Sequence, residues 1–149
     1  GSNLLRDHHE IEELEERIYR FRALDENSLR SLAKDVVKVS IERINKKSLL
    51  DALEEKKTDK GTLKLLQMLL EKCTNDATYA HRRMTPLFGV YDLRGADAHL
   101  SSSDVEDCYT RLGIDRSAPL VQQAEQLIGR VARAFGAIGN DLRAWFPSS

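Results

Sequence analysis

The sequence predicts an all-α domain, a helical bundle of five or six helices. Hydrophobic residues recur at three- and four-residue steps along most of the chain, the spacing that lines one face of an α-helix. Only three prolines occur in 149 residues, and no segment argues for a β-strand. A chain of this length fits one domain with a single hydrophobic core. Together these observations favour short-looped helices packed as a bundle.

The first part of the chain has the pattern of an amphipathic helix. It opens on Gly-Ser-Asn without a methionine, which is typical of the remnant of a cleaved expression tag. We therefore expect residues 1–3 to lie outside the fold, residues 4–146 to form one helical domain that is a fragment of a larger protein, and residues 147–149 to be a tail. The apolar face of the first helix comprises Leu4, Ile11, Leu14, Ile18 and Phe21.

The middle of the chain predicts three further helices. Asp25 or Asn27 can cap the second helix, whose apolar positions run from Leu29 to Val39. A short helix is expected at about residues 48–56, followed by a turn at 58–61 and a helix with an apolar face over 63–73. Residues 79–83 either extend that helix or form a separate turn.

The last third contains clear start and stop signals. Thr85-Pro86 predicts an N-cap followed by proline in the first helical turn, so a helix should begin at Pro86. The cluster 101–104, three serines and an aspartate, can cap the next helix, so the one before should end near residue 99 or 100. Gly113 predicts a helix stop. Pro119 opens the longest helix, with an apolar face formed by Leu120, Ala124, Leu127, Val131, Phe135, Ile138 and Leu142.

Composition narrows the class of protein. The net charge is −1, but residues 27–72 carry 11 basic and 7 acidic side chains, so a polyanion should favour this middle segment. Cys73 and Cys108 are too few for a disulfide scaffold and are expected to be buried, reduced thiols. No apolar run approaches the roughly 18 residues of a membrane span, and we expect a cytoplasmic protein without a membrane partner. The sequence holds no glycine-rich phosphate loop or zinc motif and predicts no metal or cofactor.

Arg94 and His99 are the candidate catalytic residues. Arginine is a permanent cation whose donor fork suits phosphate oxygens, and histidine exchanges protons near neutral pH. A base that takes the ribose 2′-hydroxyl proton and a cation on the scissile phosphate would cleave RNA without a metal, by a route closed to DNA. On one α-helix the two side chains would lie about 140° apart. They could act together if the arginine swings round, if the helix unwinds at His99, or if two copies share a site.

The segment 94–99 (RGADAH), late in a predicted helical bundle and near the end of a helix, resembles the arginine–histidine motif of HEPN domains. These helical bundles occur in prokaryotic toxins, antiviral effectors and RNA-processing proteins. The resemblance implies a HEPN-like fold and a metal-independent endoribonuclease of an antiviral or toxin system. It further implies a homodimer in which two motifs form one site, with Arg94 and His99 as its catalytic residues. Gly95 departs from the family, which commonly has a polar residue there.

Neighbouring residues could assist this site. Asp92 and Asp97 could orient the arginine or the histidine, and Arg82 and Arg83 could contact RNA phosphates. An alternative without chemistry has Arg94 paired with one of the two aspartates and the histidine capping helix carbonyls.

Two other functions stay open at this point. The chain could be a HEPN-like bundle without catalysis, serving as a dimerisation or docking module of a larger protein, which Gly95 and the near-neutral charge favour. Alternatively, it could be an unrelated helical adaptor that binds a partner helix through the apolar face of residues 4–21.

Overall fold

The computed structural model describes residues 25–56, 58–95 and 101–145, apart from the Glu26 side chain. Within these ranges the chain forms six α-helices and no strand: α1 (Glu26–Val39), α2 (Lys46–Leu53), α3 (Thr62–Thr74), α4 (Ala77–Leu93), α5 (Ser102–Leu112) and α6 (Leu120–Trp145), with a 3-10 turn at Ile41–Arg43 between α1 and α2. The predicted helical bundle is confirmed. The helix predicted in residues 4–24 lies outside the described residues, as do the expected tag remnant and tail.

Most helix ends follow from short-range side-chain chemistry. The carboxylate of Asp25 accepts a hydrogen bond from the Ser28 amide at 2.8 Å and caps α1, and the Ser101 hydroxyl caps α5. Gly113, with φ of +72°, ends α5 in the left-handed conformation that glycine adopts without strain. These three signals are confirmed as predicted. The short helix α2 begins slightly earlier than expected, because Asn45 caps it.

The prediction that a helix begins at Pro86 is wrong, and residues 79–83 form neither an extension of the previous helix nor a separate turn. Asn75 ends α3 in a left-handed conformation, and Asp76 caps α4 at Ala77. Pro86 therefore lies inside α4, where it cannot donate a backbone hydrogen bond. Thr85 is not an N-cap: its hydroxyl donates to the His81 carbonyl of the preceding turn at 2.8 Å.

The end of α4 also differs from the prediction. The helix stops at Leu93 rather than near residue 99. The Arg94 amide still donates to the Val90 carbonyl at 3.1 Å, and the Gly95 amide then closes a tighter turn on the Asp92 carbonyl at 3.1 Å. Arg94 is thus the C-cap residue, and the angle expected between it and His99 on one continuous helix does not apply.

The helix α4 lies at the centre of the bundle and contacts α1, α3, α5 and α6. A proline inside a helix costs about 3 kcal/mol, and burial of one face of α4 compensates for the cost of Pro86. The residues of that buried face are Ala80, Met84, Leu87, Gly89, Val90 and Leu93. The predicted apolar face of α6 is also confirmed: all its members are buried except the partly buried Leu120. The predicted apolar residues of α1 include the buried Leu29 and Val36. Ile44, which follows the 3-10 turn, is also buried.

Gly89 is where α4 approaches α5 most closely. A methyl group at this position would lie 3.0 Å from the Cys108 carbonyl oxygen and 3.2 Å from the Arg111 Cβ. Since the first of these neighbours is backbone, it cannot move aside as the end of a flexible side chain would. The absence of a side chain at Gly89 therefore sets the spacing between the two helices.

We predict that Gly89→Ala lowers the free energy of unfolding by about 1–3 kcal/mol, the usual cost of overpacking a core. Gly136→Ala is the matched control, because it lies inside α6 with no described atom within 4 Å of the added methyl. It should stabilise the protein by about 0.5–1 kcal/mol, since alanine favours helix over glycine. Urea unfolding followed by circular dichroism measures both. An equal response of the two variants would contradict the close approach.

Candidate functional site

Arg94 stands at the C-terminal end of α4, half-buried against an aromatic ring. Its guanidinium carbon lies 4.1 Å from the centroid of the Tyr91 ring, one helical turn earlier, in the geometry of a cation–π contact. The Arg94 Nε is buried and has no hydrogen-bond partner among the described residues. The ring thus holds the arginine at the helix end while its hydrogen-bonding capacity is not fully used within the described ranges.

The Asp92 carboxylate forms an ion pair with Arg111. The carboxylate accepts a hydrogen bond from Arg111 Nη1 at 2.9 Å, and Arg111 Nε lies 3.0 Å from the Asp107 carboxylate. Burial opposes the charge of Arg111, but the hydrogen bond that Arg111 donates to Asp92 leads the effects that raise the pKa of Arg111 overall. Among the described residues no carboxylate forms an ion pair with Arg94. Asp97 and His99 lie outside those residues.

Arg82 and Arg83 are exposed on an earlier turn of α4. The Arg83 Nε donates to the Tyr79 hydroxyl at 2.9 Å, and that hydroxyl donates to the Asp141 carboxylate at 2.7 Å. This chain of hydrogen bonds connects α4 to α6, so Arg83 has a partner within the fold. About 16 Å of helix separates Arg83 from Arg94, and the structure does not bring them into one cluster.

A cleft beside Arg94 was not predicted from the sequence. It has a volume of about 310 Å³ and lies between the 3-10 turn, the start of α3 and one face of α4. Tyr91 lines it, so the same ring contacts the cleft and the arginine. The sequence signals that could have found it are the basic middle segment and the two aromatic residues one turn apart. The lining residues are Ile41, Glu42, Gly61, Thr62, Leu63, Lys64, Phe88 and Tyr91.

The two cysteines differ in burial. Cys108 is buried, as predicted, and Cys73 is only partly buried; both are free thiols. Burial raises the pKa of Cys108 and raises the pKa of Cys73 to about 11. Neither thiol is therefore suited to act as a nucleophile near neutral pH.

The described ranges contain no candidate metal site and no candidate membrane span. There, no three histidine, cysteine or acidic side chains converge to hold a metal ion. No helix among the described residues has both the length and the apolar composition to cross a membrane.

Comparison with protein-family models, with curated proteins and with solved structures finds no match to this chain.

Gly95 follows the arginine without using the conformational freedom of glycine. Its φ lies outside the left-handed region, and among the described residues an added methyl would meet only the Asp92 carbonyl oxygen, at an ordinary 3.7 Å. We predict that Gly95→Ala raises the free energy of unfolding by about 0.4–1 kcal/mol, because alanine restricts the unfolded chain. Thermal unfolding tests this. A lower melting temperature would mean that residue 95 must stay small for a reason outside the described contacts.

The Cys73 thiol should react slowly. With its pKa raised from 9.0 to about 11, its thiolate fraction at pH 8 is about a hundredfold below that of an unshifted thiol. Disulfide exchange with Ellman's reagent should slow by about tenfold, because a thiolate of higher pKa is also the better nucleophile. The raised pKa also means that stability contributed by the neutral thiol is present below pH 9 and is lost as the pH rises through 11. Comparison with Cys73→Ser shows how much of the Ellman's labelling comes from Cys73. Rapid labelling of Cys73 at pH 8 in the folded protein would contradict the raised pKa.

Proposed function

We propose that this chain is a metal-independent endoribonuclease domain in which Arg94 and His99 carry out RNA cleavage. The proposal rests on the resemblance of segment 94–99 to the HEPN motif and on one structural observation. The guanidinium of Arg94 packs on the Tyr91 ring, while the nearby Asp92 carboxylate accepts a hydrogen bond from Arg111 instead. An arginine without a carboxylate partner keeps its charge and its donor fork for a phosphate.

Arg111 has a supporting role in this proposal. If Asp92 were directed to Arg94, the arginine's charge would be neutralised inside the protein and its affinity for phosphate would fall. Because Arg111 binds Asp92 as well as Asp107, the Asp92 carboxylate already has a cationic partner on α5. This arrangement argues against the alternative in which Arg94 serves only to pair with Asp92.

The proposed reaction is an internal attack on the scissile phosphate. His99 accepts the proton of the ribose 2′-hydroxyl, and the 2′-oxygen forms a bond to phosphorus while the bond from phosphorus to the 5′-oxygen breaks. Arg94 stabilises the negative charge that builds on the phosphate oxygens. The leaving 5′-oxygen takes a proton from water or from the second histidine of a dimer. The products are a 2′,3′-cyclic phosphate and a free 5′-hydroxyl.

The resemblance also supports a setting for this activity. We propose that the chain acts as a homodimer in which two copies of segment 94–99 form one site. The domain would belong to a larger antiviral or toxin protein whose other domains control when it cleaves. Arg82 is an exposed candidate for contact with RNA phosphates at a distance from the cleavage site.

A catalytically inactive docking or dimerisation module is the second candidate. Gly95 favours it, because this residue supplies no polar group next to the arginine where HEPN domains commonly have one. This module would form the same dimer without cleaving RNA. A cleavage assay separates the two candidates, and sedimentation of the chain tests the dimer that both require.

The test of the proposed function is cleavage of mixed-sequence single-stranded RNA in the presence of EDTA. We expect the unmutated chain to produce 2′,3′-cyclic phosphate ends. His99→Ala should lower the rate by about 10²–10⁴, the usual contribution of a general base. Arg94→Ala should lower it by about 10²–10³, as for removal of one group that stabilises the transition state.

Arg143→Ala is the matched control, because Arg143 is an exposed arginine in the last turn of α6. It should cleave at the unmutated rate, and all variants should keep their helical circular dichroism. Cleavage that survives both active-site substitutions would show that these residues are not catalytic. No cleavage by the unmutated chain would favour the docking module.

A further inference from the structure

The cleft beside Arg94 has the size and lining of a site for one small flat group. Its volume of about 310 Å³ is at the lower end of the range for small-molecule sites, about 300–1,000 Å³. Phe88 and Tyr91 lie one turn apart on α4 and form the aromatic wall of the cleft, and the 3-10 turn at Ile41 and the start of α3 supply the rest of its lining. Tyr91 is 37% exposed, so part of its ring is accessible to a ligand.

The charges around the cleft favour an anionic ligand. Lys64 lines it and Arg94 stacks on its tyrosine, against one lining carboxylate, that of Glu42. Gly61 supplies no side-chain hydrogen bond to the first amides of α3, and no acidic residue lies in that turn. A ligand with a flat aromatic group and a nearby negative charge would therefore be complementary to both parts of the site.

We propose that this cleft binds one nucleotide of single-stranded RNA, with its base against the aromatic wall and a phosphate at Lys64. The inference rests on the proposed function, because that function supplies RNA as the ligand. Bases stack on exposed aromatic side chains whatever their sequence, and basic residues track the backbone. A duplex would keep its bases stacked inside the helix, so the cleft selects unpaired RNA.

The position of the cleft gives the bound nucleotide a role in cleavage. Tyr91 contacts both the cleft and the Arg94 guanidinium. A base held in the cleft therefore lies next to the cation that would bind the scissile phosphate. The cleft thus positions the strand relative to Arg94, and Tyr91 is a positioning residue rather than a catalytic one.

The test is binding of the 149-residue chain to a fluorescent single-stranded RNA that carries 2′-O-methyl groups at every position. Fluorescence anisotropy measures the affinity. This probe cannot be cleaved by internal attack, so binding is measured separately from catalysis. We expect Tyr91→Leu to weaken binding about five- to a hundredfold, the range for loss of one base-stacking side chain. Tyr91→Phe, which keeps the ring, should restore most of the affinity.

A charge reversal at Lys64 gives a second variant that does not depend on the tyrosine. Lys64→Glu should weaken binding and lower the slope of log affinity against log salt by about 1. An acid in the first turn of α3 is favoured by the helix dipole, so lost binding would not come from unfolding. Lys47→Glu is the matched control: it makes the same charge change in the first turn of α2, outside the cleft lining. It should change affinity less than about twofold.

The possible outcomes distinguish the two proposals. Loss of binding in Tyr91→Leu and Lys64→Glu, with retention in Tyr91→Phe and Lys47→Glu, supports the nucleotide site even if unmodified RNA is not cleaved, and the cleavage proposal alone then fails. Equal binding by all variants, equal losses at Lys64 and Lys47, or no binding by the unmutated chain overturns the nucleotide site. Cleavage of unmodified RNA with the same KM in Tyr91→Leu also overturns it while leaving the cleavage proposal intact.

Discussion

The close packing of α4 against α5 at Gly89 determines the arrangement of the candidate site. Because no side chain separates the helices there, the last turn of α4 lies near enough to α5 for Arg111 to reach Asp92. That ion pair leaves Arg94 without a carboxylate partner among the described residues. The absence of a side chain at Gly89 therefore influences which charged groups are paired at the C-terminal end of α4.

The same helix combines an unfavourable local sequence with a central position. Pro86 removes a backbone hydrogen bond from α4, and Thr85 donates its hydroxyl to the preceding turn. Packing against four other helices compensates, since burial of its apolar face outweighs the local cost. The Tyr79–Asp141 hydrogen bond fixes the start of α4 to α6, and Arg111 fixes its end to α5. Both ends of the helix that carries Arg94 are thus held by side-chain contacts.

The sequence predicted the features that depend on neighbouring residues and missed those that depend on tertiary packing. Asp25, Ser101 and Gly113 act within one turn of themselves, so their patterns identified helix ends correctly. Thr85-Pro86 has the same appearance as a helix start, but Asp76 caps the helix earlier and packing tolerates the proline. The cleft was not predicted, because three separate elements form it and the two aromatic residues one turn apart do not by themselves show which elements complete it. Arg94 became a candidate through the resemblance of segment 94–99 to the HEPN motif, whereas its contact with Tyr91 required the structure.

Tyr91 connects the two proposed activities physically. An aromatic ring that contacts a cation can also accept a base at its accessible surface, because both contacts use the π-system. Binding energy from a base in the cleft could thus hold the strand while Arg94 acts on the phosphate, which is how remote contacts assist a chemical step. A single-stranded RNA would be favoured over mononucleotides, because only a strand reaches the cleft and the arginine together. Under these proposals, the arrangement would select unpaired strands without any reading of sequence.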